Sequence, residues 1–149
     1  MRFTHLYFFL SLLLLTIPAQ AQQLDKGDWS ALSEELESND KLLIVNFWAT
    51  WCRPCVAEMP HFEHVADELA DENVGLIFVS ADDPDIYDHR LPAFLKKKNI
   101  THRVWLMDDT NPNNWVPKVH DGWQGDLPAT LLVAPGGEFL AFRNGSLSE

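Results

Sequence analysis

The chain has 149 residues, 46% hydrophobic and 22% charged, with a formal net charge of −11 and only two cysteines. That hydrophobic share suits an ordinary globular protein, and the length suits one domain around one core. So acidic a balance argues against nucleic acid or an anionic membrane surface as partner, and no internal repeat or low-complexity tract is present.

In chain order, the N-terminus carries one basic residue, Arg2, followed by a run from Leu6 to Ile17 in which only Ser11 and Thr16 are weakly polar. Pro18 breaks the run, and Ala19-Gln20-Ala21 places small residues where a signal peptidase reads them. This is the layout of a secretory signal peptide. The run is short of the about 20 apolar residues that a membrane-spanning helix needs. Residues 1–21 therefore read as a leader cleaved after Ala21, and 22–149 as the domain it exports, periplasmic or secreted. If the segment stays uncleaved, it tethers the domain to the membrane. No cysteine stands near the cleavage site for lipid attachment.

Residues 22–27 read as a polar lead-in. Asp28 is placed to cap a short helix through Glu37, with Trp29, Leu32 and Leu36 on one side. The continuous apolar run KLLIVNFW (41–48) predicts a strand buried on both faces. Val56, Met59, Phe62, Val65 and Leu69 recur at three- and four-residue steps, predicting a helix over 52–71 with one buried stripe and a kink at Pro60. VGLIFVSA (74–81) predicts a second buried strand, LPAFLKKKN a short helix, and HRVWLMD (102–108) a third strand. Residues 109–126 predict a long connection with one helical turn, and Asp82, Asp83 and Asp85 a solvated loop. ATLLVA and EFLAFRN around Pro135-Gly136-Gly137 predict a hairpin. The order implies an α/β fold, a mixed sheet with parallel central strands and helices on both faces.

The two cysteines, Cys52 and Cys55, sit in FWATWCRPCVAEMP. As a structural staple they would close a loop of four residues and contribute only about 2 kcal/mol, among the least a disulfide gives. Their placement suits chemistry better. A strand ends near Trp48 and a helix begins at about Cys52, so the Cys52 sulfur faces free N–H groups and the positive end of the helix dipole. That field favours the thiolate and lowers its pKa, with Arg53 adding positive charge and Pro54 fixing the first turn. Cys55, one turn on and more sheltered, is placed to resolve a mixed disulfide that Cys52 forms. Glu58 follows Cys55 by three residues, on the same side of the helix. It is either the base that deprotonates Cys55 or an acid that stabilises the helix start. A zinc site would need a second pair of ligands, and a c-type haem would need histidine where Val56 stands. His61, His64 and Asp67 read as a solvated helix face. A Cu(I) carrier using both thiolates, and a binding module with an idle Cys pair, are the other functional readings.

The stretch F47-W48-A49-T50-W51-C52-R53-P54-C55 with Pro60 resembles the active site of the thioredoxin superfamily. Leu127-Pro128-Ala129-Thr130 fits the superfamily's cis-proline, which precedes a strand facing the cysteines. The leader, the Glu58-Met59-Pro60 sequence and the insert before Pro128 look like the extracytoplasmic TlpA/ResA-like branch. The resemblance implies a thioredoxin fold and a thiol-disulfide oxidoreductase without cofactor or metal. Such proteins usually reduce disulfides of other extracytoplasmic proteins, some in cytochrome c maturation, fed by a membrane electron donor. It assigns Cys52, Cys55 and Glu58 to catalysis, and Trp51, Arg53, Pro54, Leu127 and Pro128 to the surface that meets substrate. Asn46 stands where cytosolic thioredoxins carry a buried acid, which leaves Glu58 as the candidate base. Trp105, Trp115 and Trp123 make the insert region aromatic, either as core or as the wall of a partner groove. The helix that normally closes the superfamily's fold after the hairpin is expected to be missing.

Overall fold

A computed structural model of the protein describes residues 22–147. The proposed leader, residues 1–21, lies outside the described residues.

Ten regular elements follow in order: β1 (Leu24–Gly27), α1 (Trp29–Ser38), β2 (Leu42–Trp48), α2 (Arg53–Glu68), β3 (Val74–Ser80), α3 (Arg90–Lys98), β4 (Arg103–Met107), α4 (Val116–Val119), β5 (Ala129–Val133) and β6 (Phe139–Asn144). The strands form one sheet in the order β1-β4-β3-β2-β5-β6. The first four in that order run parallel, and β5 and β6 run antiparallel to their neighbours.

Strand alternation divides the core into two layers. Leu43, Val45 and Phe47 of β2 point to one face, where they pack with Trp29, Leu32 and Leu36 of α1 and with Trp115 and Trp123 of the insert. Ile44 and Trp48 point to the other, against Cys55, Met59 and Phe62 of α2 and Leu91 and Leu95 of α3. Trp105, Trp115 and Trp123 are thus core. Phe47 stacks on Trp115 with centroids 6.1 Å apart and meets Trp123 at 5.0 Å. Each such ring pair adds about 0.5–1.5 kcal/mol beyond the area it buries.

Local signals explain most boundaries. The Asp28 carboxylate accepts from Ala31 N–H at 2.9 Å and caps α1. Asn99 closes α3 in the left-handed region at φ 55°, after three lysines in the last turn that complement the helix dipole.

Two expectations need correction. Residues 22–27 are no lead-in, because Leu24–Gly27 pairs in parallel with β4 as an edge strand. Its four residues carry no apolar run, so only the open edge of β4 reveals it. The stripe on α2 also differs. Val65 is 40% exposed, while Glu58, Glu63 and Ala66 are buried. Two carboxylates thus occupy the inner face because polar partners await them on neighbouring elements.

Candidate active site

The site grows from the C-terminal end of β2. After Trp48 the chain makes a turn closed by Cys52 N–H to the Ala49 carbonyl at 3.0 Å, and α2 starts at Arg53 with Pro54 in its first turn. Cys52 is the N-cap, and its Sγ accepts from Cys55 N–H at 3.4 Å. The sulfur thus takes the place that an oxygen fills in ordinary caps. The two cysteines are joined, Sγ to Sγ, at 1.99 Å with Cα atoms 5.3 Å apart. Cys55 is fully buried, more sheltered than Cys52, which is itself only 5% exposed in this oxidised state. Trp51, Arg53 and Pro54 are exposed around it, Trp51 at 69%.

The peptide bond between Leu127 and Pro128 is cis. Because Ala129 pairs with Phe47, Pro128 comes level with Trp48, beside the turn that leads to Cys52. Leu127 packs against both layers of the core. Leu127, Trp51, Met107 and Trp115 line a cleft of about 340 Å³.

Glu58 is 6% exposed on the inner face of α2. Its Oε1 accepts from the Asn46 amide at 3.3 Å and its Oε2 from Leu147 N–H at 3.0 Å. The same Asn46 amide donates to Thr130 Oγ1 at 3.1 Å. Burial raises the Glu58 carboxyl above the ordinary carboxylate range, and the Leu147 N–H, the Asn46 amide and nearby His61 offset part of that rise. Asn46 has no ionisable group, and its amide holds the Glu58 carboxylate in place. Its place between Ile44 and Trp48 on β2 turns it toward α2. Beside this trio, Ile44, Phe62, Leu132 and Phe142 line an apolar cleft of about 550 Å³.

Asp82 was missed. Expected in a solvated loop with Asp83 and Asp85, it is 6% exposed, and its carboxylate accepts three hydrogen bonds from Thr50 and Ser80. The one available signal was its place just past the end of a buried strand. His61, His64 and Asp67 are exposed as expected. Among the described residues no group of three or more His, Cys, Asp or Glu side chains is placed to hold a metal ion. Nor is any described helix long and apolar enough to cross a membrane.

A sheet in this order, with a Cys pair capping a helix across from a cis-proline, defines a thioredoxin-fold protein. The chain belongs to the AhpC/TSA family, whose profile matches residues 16–139. It is similar to the thiol-disulfide oxidoreductase ResA of Oceanobacillus iheyensis, 30% identical over 109 residues, 72% of this chain and 52% of the relative. It is also similar to the ResA of Bacillus subtilis, 27% identical over 110 residues, 73% of this chain and 56% of the relative. The chain therefore spans little more than half the length of these curated relatives. Among solved structures, a thioredoxin-related protein of Neisseria meningitidis serogroup B superposes with a TM-score of 0.60 at 28% identity, over 72% of this chain and 76% of that one.

Proposed function

We propose that the protein is a thiol-disulfide oxidoreductase that reduces disulfides of other proteins outside the cytoplasm. The observation that carries this reading is the Cys52–Cys55 disulfide capping α2, with a buried carboxylate one turn further along. In the reduced protein the Cys52 thiolate, favoured by the helix start, attacks one sulfur of a substrate disulfide. A mixed disulfide forms and the substrate's other sulfur leaves as a thiolate. Glu58 takes the proton of Cys55, which attacks Cys52 Sγ and closes the disulfide seen here. The substrate's second sulfur departs, so two electrons have passed from the Cys pair to the substrate. A dithiol donor at the membrane then reduces the pair again.

Trp51, Arg53 and Pro54 form the surface beside Cys52, and the Leu127 backbone, turned by the cis bond to Pro128, pairs with an extended substrate segment in the manner of an added strand. Residues 1–21 serve as the cleaved leader, and 22–149 act as one domain in the periplasm or outside the cell. The leader-like sequence supports that location, and the names of the relatives support the chemistry.

Two measurements test this. Cys52→Ser abolishes mixed-disulfide formation with a disulfide-bearing protein, whereas Cys55→Ser accumulates it. Normal turnover by Cys55→Ser would refute the two-step exchange. Equilibration of the Cys pair against glutathione and dithiothreitol then sets the direction. A potential near about −270 mV makes the protein a reductant, and one near about −120 mV makes it an oxidant instead.

A further inference from the structure

The turn that delivers Cys52 is held from outside by a residue with no part in the exchange as described. Residues 49–52 belong to no helix or strand. One internal bond, Cys52 N–H to the Ala49 carbonyl, closes the turn and leaves the N–H of Thr50 unused. The Asp82 carboxylate takes it. Oδ2 accepts from Thr50 N–H at 2.9 Å, and Oδ1 accepts from Thr50 Oγ1 at 2.7 Å. Ser80 Oγ, on the last residue of β3, donates to Oδ2 at 2.8 Å and accepts from Asp82 N–H at 3.2 Å, which fixes the carboxylate in turn. A backbone bond from Ala81 N–H to the Trp48 carbonyl at 2.8 Å ties the same two segments one step earlier. A side chain this buried, gripping one residue by backbone and hydroxyl together, sets the direction of the turn rather than merely touching it.

We propose that Asp82 is a positioning residue: by clamping Thr50 it holds the Ala49–Cys52 turn so that Cys52 Sγ stays over Cys55, which raises the effective concentration of the two thiols for each other. This rests on the exchange reading above. Two thiols held in place close a disulfide far more readily than two on a mobile turn, because the ordering entropy is already spent. A clamp on the turn therefore acts on the equilibrium of the pair, not only on the stability of the domain.

The test equilibrates the full chain with reduced and oxidised glutathione. Each disulfide closure oxidises the Cys pair by two electrons, reduces one glutathione disulfide and yields two glutathione thiols. The equilibrium constant is read in wild type, Asp82→Asn, Asp82→Ala and Thr50→Val, with urea unfolding of each variant alongside. Asn keeps an acceptor for Thr50 N–H, Ala keeps none, and Thr50→Val removes the hydroxyl bond alone. The expected result is a constant lowered about tenfold in Asp82→Ala, the scale of one lost hydrogen bond. Thr50→Val and Asp82→Asn should each lower it by a smaller step, about threefold. The proposal is overturned if Asp82→Ala shifts urea unfolding yet leaves the constant within twofold of wild type. It is equally overturned if Asp82→Asn shifts the constant as far as Asp82→Ala, since charge and not the clamp would then be responsible. If Asp82→Ala does not fold, an unchanged constant in Thr50→Val overturns it. Failure of the wild type to exchange with glutathione at all would instead remove the exchange reading itself.

Discussion

The helix that carries both cysteines is moored at its far half by Glu63, and removing that carboxylate offers a quantitative check. Glu63 Oε1 accepts from Thr101 N–H at 3.1 Å and His102 N–H at 3.0 Å, while Oε2 accepts from Thr101 Oγ1 at 2.5 Å and faces His102 Nδ1 at 3.1 Å. Burial by itself would raise the carboxyl, but the His102 and Thr101 side chains and both N–H groups hold it down at about 2. The Glu63 hydrogen bond raises the His102 imidazole against burial, and the charges of Glu63 and Asp67 add to the rise. A carboxyl moved from 4.5 to about 2 prefers its ionised form by about 3 kcal/mol. Solvent reaches the His102 side, so about 2 kcal/mol is the expected share in stability. The signs set a window. The lowered Glu63 contributes above about pH 4.5, and that contribution is lost as pH falls from there toward about 2. The raised His102 contributes fully below about 6.5, and its share fades as pH rises through its folded value. The mooring is thus strongest between these limits. Urea unfolding of wild type and Glu63→Gln at about pH 3, 5.5 and 8.5 should show the largest gap at 5.5. A gap equal at all three would refute the ionic reasoning and leave only neutral hydrogen bonding.

Glu58→Gln should slow resolution of the mixed disulfide by about a hundredfold, the lower end of general-base contributions. In wild type that rate should rise as pH climbs through the raised Glu58 range, a limb the variant lacks; stopped-flow decay of a preformed mixed disulfide reads both. Trp115→Ala, which empties the space beside Phe47 and Trp123, should cost about 3–5 kcal/mol in urea unfolding, and a loss under about 1 would mean the insert is not core. Arg103 bonds Asp25 at 2.8 Å and Glu35 at 2.7 Å, joining β4 to β1 and α1. Arg103→Met should cost about 1–3 kcal/mol, and most of that loss should vanish in an Asp25→Asn/Glu35→Gln background.

By itself the sequence determined what nearest neighbours along the chain can decide. Continuous apolar runs marked β2 and β3 because a strand buried on both faces has no polar alternation to keep. The placement of Cys52 and Cys55 as a bonded pair at a helix start was legible because strand end, helix start and Pro54 all lie within a few residues. The Pro135-Gly136-Gly137 hairpin was legible for the same reason, with Gly136 and Gly137 both at positive φ. Tertiary structure decided the fate of polar residues whose partners are distant in sequence. Asp82 is buried because Thr50, 32 residues earlier, presents an unused N–H; Glu63 because Thr101 and His102, 38 and 39 residues later, converge on it; Asn46 because α2 brings Glu58 and β5 brings Thr130. Leu24–Gly27 became a strand only because β4 offered an edge. A buried polar group is stable only when its partner arrives, and the arrival of a partner is a property of the fold.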